Sequence, residues 1–158
     1  MSDSSLYSDY IMTRQRVDML ERVEKNVTYL TLRRTTTQSI TTAGTIVSWE
    51  DAVRNVGFTW SAGTAITIPS AGYYVIDMAF NFNSASVVNV DLLVGGTATN
   101  RFANYYGSGT ANRIIAMRYF SASDSVEVKM TPVSNRTLQV VAYGSAEESP
   151  HLHIVRIA

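Results

Sequence analysis

Residues 65–83 read AITIPSAGYYVIDMAFNFN. A short apolar stretch, a Pro-Ser-Ala-Gly turn and a long alternating run follow one another without a break. From Tyr74 the even positions are Tyr74, Ile76, Met78, Phe80 and Phe82, and the odd ones include Asp77, Ala79, Asn81 and Asn83. Successive side chains of a strand point to opposite faces, so this alternation predicts a strand with one buried and one wet face. Pro69 and Gly72 mark the turn before it.

Working outward, everything from Ile46 on reads as strand and turn. Strands are expected at Ile46–Trp49, Val56–Trp60, Ala65–Ile68, Gly72–Asn83, Val87–Val94, Thr97–Tyr105, Asn112–Phe120, Ser125–Thr131, Leu138–Tyr143 and Leu152–Ile157. Gly95-Gly96 suits a two-residue hairpin loop, whose primed turn needs positive φ. Closely spaced short strands point to a sandwich or barrel. Before them, residues 8–32 carry a helical period. Leu20, Val23, Val27 and Leu30 follow the 3-4-3 spacing of a short coiled-coil seam, and Asp18/Arg22 and Glu21/Lys25 add acid-before-base pairs. The expected organisation is an N-terminal arm and helix over 1–34 and a head domain over 35–158.

At 158 residues the chain suits one domain with an appendage. Its 13 basic and 13 acidic side chains balance, which argues against a general nucleic-acid binder. There is no cysteine, so packing alone holds the fold and no thiolate chemistry is available. No apolar run approaches the roughly 20 residues of a membrane helix, so no membrane insertion is expected. The polar start MSDSSL lacks a signal-peptide pattern, and the triplets at Asn26 and Asn135 are accordingly read as chance.

Two strands do not alternate. Ile114-Ile115-Ala116-Met117 and Leu152–Ile157 are apolar on both faces. The second face of a two-sheet sandwich normally meets water, so these strands need another burial partner. A second copy of the chain is the economical one, and the N-terminal helix is the alternative. In contrast, Val126, Val128 and Met130 alternate with Glu127, Lys129 and Thr131, predicting one wet face.

The order of motifs resembles the tumour-necrosis-factor-like and complement-q-type jelly rolls. Gly72-Tyr73-Tyr74-Val75-Ile76 stands for the family's Gly-x-Tyr-x-Phe, with Ile in place of Phe. Leu92-Leu93-Val94-Gly95-Gly96 is similar to its glycine hairpin, and Asp124-Ser125-Val126 to its Asp-x-Val strand. The resemblance covers about residues 59–158. It implies an all-β, ten-stranded jelly-roll sandwich assembled as a homotrimer, with the first, Gly72, Asn112 and last strands in the inner sheet. The trimer contacts it implies, with the helical seam, are Leu20, Val23, Val27, Leu30, Ile115, Met117, Tyr119, Val155 and Ile157.

A short coil feeding such a head looks like a structural bacteriophage protein. The expectation is a capsid-decoration, head-fibre or short-fibre protein of the virion, made in the host cytoplasm, joined to other virion proteins through its N-terminal helix. The alternatives are a tail-fibre or needle knob recognising a host glycan or protein, and a non-viral adhesin-like module.

Chemistry is sparse. His151 and His153 share one strand face, but no third ligand stands near. Asp91, Asp124 and Glu147-Glu148 are scattered, whereas calcium needs six or more oxygens at one place. No Gly-x-Ser-x-Gly elbow or phosphate loop occurs. Asp77, the acid that interrupts the apolar strand, is expected to pair with Arg118 rather than act as a catalytic acid. No enzyme, cofactor or metal is therefore expected. Tyr105, Tyr106 and Asn112 flank the Gly107-Ser108-Gly109 loop and are the candidate ligand contacts, since rings give rigid area and amides paired hydrogen bonds.

Overall fold

The computed structural model describes residues 27–106, 112–143 and 147–157. They form two packed sheets. The first has strand order β4-β1-β14-β6-β9, from Asp51–Val56 (β4), Tyr29–Arg33 (β1), His151–Arg156 (β14), Gly72–Phe80 (β6) and Asn112–Phe120 (β9). The second runs β3-β10-β7-β8, with β5 also on β10. Its strands are Thr45–Ile46 (β3), Ser125–Pro132 (β10), Ser86–Val94 (β7), Thr97–Tyr106 (β8) and Ile66–Thr67 (β5). Two small ribbons pair Gln38–Ile40 (β2) with Arg136–Leu138 (β11), and Val141–Tyr143 (β12) with Glu147–Ser149 (β13). Ten strands thus share the two main sheets, and their pairings are antiparallel.

Alternation builds the core. Tyr74, Ile76, Met78, Phe80 and Phe82 are all buried, facing Val88, Val90 and Leu92 of β7 and Val126, Val128 and Met130 of β10. Tyr74 lies inside because its hydroxyl donates to the Ser70 carbonyl at 2.8 Å, so no polar atom is orphaned. Phe58 and Phe120 meet its ring edge-on. Gly95 and Gly96 have φ of 56° and 78°, the primed hairpin that the Gly-Gly pair predicts.

Three expectations change. Leu30 belongs to β1, not to a helix reaching Leu32. It pairs with Ile154 and is fully buried, so it serves the head core rather than a coiled-coil seam. Leu30 completes a 3-4-3 spacing with Leu20, Val23 and Val27 by accident, while Tyr29–Arg33 alternate as a strand, and sheet pairing decides between them. Val27 precedes β1 and is part-buried, while Leu20 and Val23 lie outside the described residues. The strand expected at Val56–Trp60 lies earlier, at Asp51–Val56, and stops at Gly57, whose φ of 83° turns the chain. The single strand expected over 138–143 is two, β11 and β12, in separate ribbons.

One polar staple holds the turn after β1. Glu50 accepts from the Thr35 and Thr36 amides at 2.7 and 2.8 Å, from both threonine hydroxyls, and from Arg34 Nη2 at 2.9 Å. Arg34 is itself buried and donates to the carbonyls of Thr36 and Ser48. Partial desolvation pushes the Glu50 carboxyl up, but the threonine hydroxyls, the Thr35 amide and Arg34 outweigh it and bring it to about 2. A depressed carboxyl contributes stability above its unfolded value, near pH 4.5, and loses it as pH falls toward 2.

Glu50→Gln is expected to cost about 1–2 kcal/mol near neutral pH, after discounting for partial solvent access, and to flatten the acid limb between pH 4.5 and 2 in thermal melts. Leu30→Ala is expected to lower head stability by about 2–4 kcal/mol in denaturant titrations; a residue confined to a stalk would leave that transition in place.

Candidate functional site

The outward face of the β4-β1-β14-β6-β9 sheet is the distinctive surface. Register aligns its side chains in rows. Met117, Val75, Val155, Tyr29 and Val56 form one row across β9, β6, β14, β1 and β4. Beside it Tyr119 lies opposite Tyr73, their rings edge-to-face at 5.4 Å, and Ile157 bonds the Tyr73 carbonyl through its amide. On the other side the row is Ile115, Asp77, His153, Thr31 and Arg54, and the last is Arg113, Ala79, His151, Arg33 and Asp51. One half of the face is therefore apolar and aromatic, and the other is polar and charged except at Ile115 and Ala79.

Ile115 is 63%, Met117 65%, Tyr119 52% and Ile157 53% exposed. Large side chains this open, and adjacent, are not what a solvated sheet face carries. The second sheet gives the contrast. Outward positions of β10 are Ser125, Glu127, Lys129 and Thr131, with Glu127 held by Thr64. On β7, Asp91 takes a two-pronged Arg101 at 2.7 and 3.0 Å. Among the described residues, the second sheet exposes Val87, with Val133 just past β10, whereas the first exposes Val53, Val56, Tyr73, Ile115, Met117 and Tyr119.

The structure brings five of the sequence-predicted contacts together on this face: Ile115, Met117, Tyr119, Val155 and Ile157. Tyr73, Val75, Tyr29 and Val56 join them. The sequence held a signal for the first two, since they are the odd, non-core positions of the alternating strand. Leu30 is excluded by its burial. Tyr105 and Tyr106 end β8 and Asn112 begins β9, on either side of residues 107–111.

Asp77 pairs with Arg113, not Arg118. The Arg113 fork donates to both Asp77 oxygens, Nε at 2.7 Å. Arg113 lies two places from Ile115, which faces Asp77, so both reach the outward side. Arg118 has the opposite parity. It faces the other sheet, where it donates to Asn100 of β8 and lies 5.8 Å from the Phe120 ring centre. The Arg113 hydrogen bond is the main cause holding the Asp77 carboxyl below its usual value, against desolvation and aided by the positive charge of Arg113 and the neighbouring histidines.

His151 and His153 have ring centres 4.6 Å apart, and His153 Nδ1 lies 3.0 Å from Thr31 Oγ1. No group of three metal-ligating side chains occurs among the described residues. Asp124 accepts the Ser121 amide and Asp91 holds Arg101, so these two acids serve a turn and an ion pair.

No family model and no curated protein matches the sequence. Solved structures do match the fold. Murine APRIL at pH 8.5 aligns at a TM-score of 0.62 with 17% identity, over 84% of this chain and 100% of that one. Murine APRIL at pH 5.0 gives 0.59 and 17% over the same shares. The globular domain of zebrafish complement 1qA gives 0.56 and 10%, over 83% of this chain and 98% of that one. The described residues share the jelly-roll fold of these structures, and the likeness extends beyond the 59–158 span read from motifs.

Arg113→Gln is expected to move Asp77 up toward an ordinary carboxylate in an NMR pH titration, since the largest influence holding it down is removed. An unmoved Asp77 would mean another group holds it.

Proposed function

We propose that this chain is a non-enzymatic, self-associating binding head. Copies pack through the outward face of the β4-β1-β14-β6-β9 sheet. Three is the number that the resemblance to this class of jelly roll implies. The observation that carries the reading is the apolar half of that face, set against the polar outward positions of β10. Burying a Met, three Tyr and several branched aliphatics between copies removes hydrocarbon from water at roughly 25 cal/mol per Å². The edge-to-face Tyr73–Tyr119 pair presents two half-exposed rings that can anchor such a contact.

The setting we propose is the surface of a bacteriophage particle, as a decoration or short-fibre protein. Support comes from the sequence: an amphipathic N-terminal stretch before a jelly-roll head, and a chain without cysteine. The N-terminal arm then joins other virion proteins and the head is displayed. Purified chain mixed with phage shells that lack it and with host cells tests the setting. Retention on shells supports decoration, retention on cells alone favours a receptor-binding knob, and retention on neither removes the phage assignment.

Light scattering of the full chain near neutral pH is expected to give three times 17.4 kDa. Met117→Lys places a charge in the apolar half and is expected to weaken association by at least about 100-fold with the fold retained by circular dichroism. A folded variant with unchanged mass would take β9 out of the interface.

A further inference from the structure

We propose that a recess beside the β2–β11 ribbon binds a monosaccharide that carries a carboxylate. None of the residues lining it belongs to the β4-β1-β14-β6-β9 sheet, so the inference goes beyond self-association and does not rest on it.

The recess measures about 220 Å³. Drug-sized ligands take roughly 300–1,000 Å³, so the room here suits a single ring. Its walls are tied in place. The Thr137 amide donates to Asn83 Oδ1 at 3.0 Å, and the Asn83 amide donates back to the Thr137 carbonyl at 3.1 Å. Asn135 Oδ1 accepts the Thr42 amide at 3.0 Å. Arg136 donates Nη1 to the Asn135 carbonyl at 2.9 Å and Nη2 to the Ala85 carbonyl at 3.1 Å, which anchors its guanidinium.

Those bonds decide which chemistry is left over. The Asn135 oxygen is engaged, so its side chain has chiefly N–H bonds to offer. Arg136 has five N–H donors and no acceptor, and its covered Nε has no partner among the described residues. No carboxylate lines the recess, and none among the described residues pairs with Arg136. A surplus of donors around one positive charge favours a singly charged acceptor, and a carboxylate is one that a guanidinium bonds strongly. The hydroxyls of Ser39, Thr41 and Thr137 both donate and accept, as ring hydroxyls require. Ile40 adds an apolar wall for the C–H face of a sugar. A neutral sugar would leave the arginine unmatched, and a bare anion would leave the three hydroxyls unused.

Amide NMR spectra of the full chain, titrated with glucuronate, glucose and acetate, test this. Glucuronate is expected to move the Thr41, Asn83 and Thr137 peaks saturably with a Kd on the order of 1–10 mM, and glucose and acetate to bind at least about fivefold more weakly. Glucose binding as tightly as glucuronate would show that the charge of Arg136 is not used and overturn the proposal. Acetate binding as tightly would show that an anion alone is held, and would overturn it too. Peaks that stay in place at about 50 mM glucuronate would overturn it outright. Arg136→Gln is expected to weaken glucuronate binding at least about tenfold while peaks far from the recess keep their positions. Should that variant fail to fold, Ser39→Tyr decides, because Ser39 is exposed and a ring there fills the recess. Lost binding in folded S39Y supports the proposal, and unchanged binding overturns it. Binding is read from individual peaks whatever the mass of the particle, so its failure is distinct from a failure of self-association.

Discussion

The packing of β6 between its two neighbours and across onto β7 and β10 is the constraint on which the molecule depends. With no cysteine in the chain, nothing else binds the two sheets covalently. Tyr74, Ile76, Met78 and Phe80 fill the gap with fully buried side chains. Strand geometry then leaves no choice for the odd positions. If Ile76 faces inward, Tyr73, Val75 and Asp77 must face outward. The exposed face is therefore a direct consequence of the core register, and its composition is the informative part.

That composition is sorted along the strands. Apolar rows occupy one end of the face and charged rows the other. The sorting matters physically, because an ion pair such as Asp77–Arg113 laid among the tyrosines would have to lose its water wherever the apolar rows are covered. Kept apart, the apolar rows can be covered without stripping water from the ion pairs. The Arg34–Glu50 staple belongs to a different task. It fixes the turn by which the chain leaves β1, and it does so through local hydrogen bonds that any single copy satisfies.

Particular residues show why some features were legible and others were not. The β6 and β10 alternations and the Gly95-Gly96 hairpin were readable because each is a local pattern with one physical solution. Residues 29–33 were not, because Leu30 completes the 3-4-3 spacing that runs back to Leu20, while the Leu30/Leu32 alternation that marks a strand spans only five residues. What settles them is pairing with His151–Arg156, more than a hundred residues away. The Asp77 partner was missed for a related reason. Both Arg113 and Arg118 lie on β9, and only the register of β6 against β9 reveals which of them shares Asp77's face.

The sequence by itself determined the all-β sandwich, the core row of its central strand, and the surplus of apolar side chains on the Asn112 and last strands, since these follow from the period-two geometry of single segments. The tertiary structure alone decided that Tyr29–Arg33 is a strand, that the surplus collects on one face of one sheet, and that the two histidines lie among arginines and aspartates from four other strands. Those facts depend on register between distant segments, which no local pattern encodes.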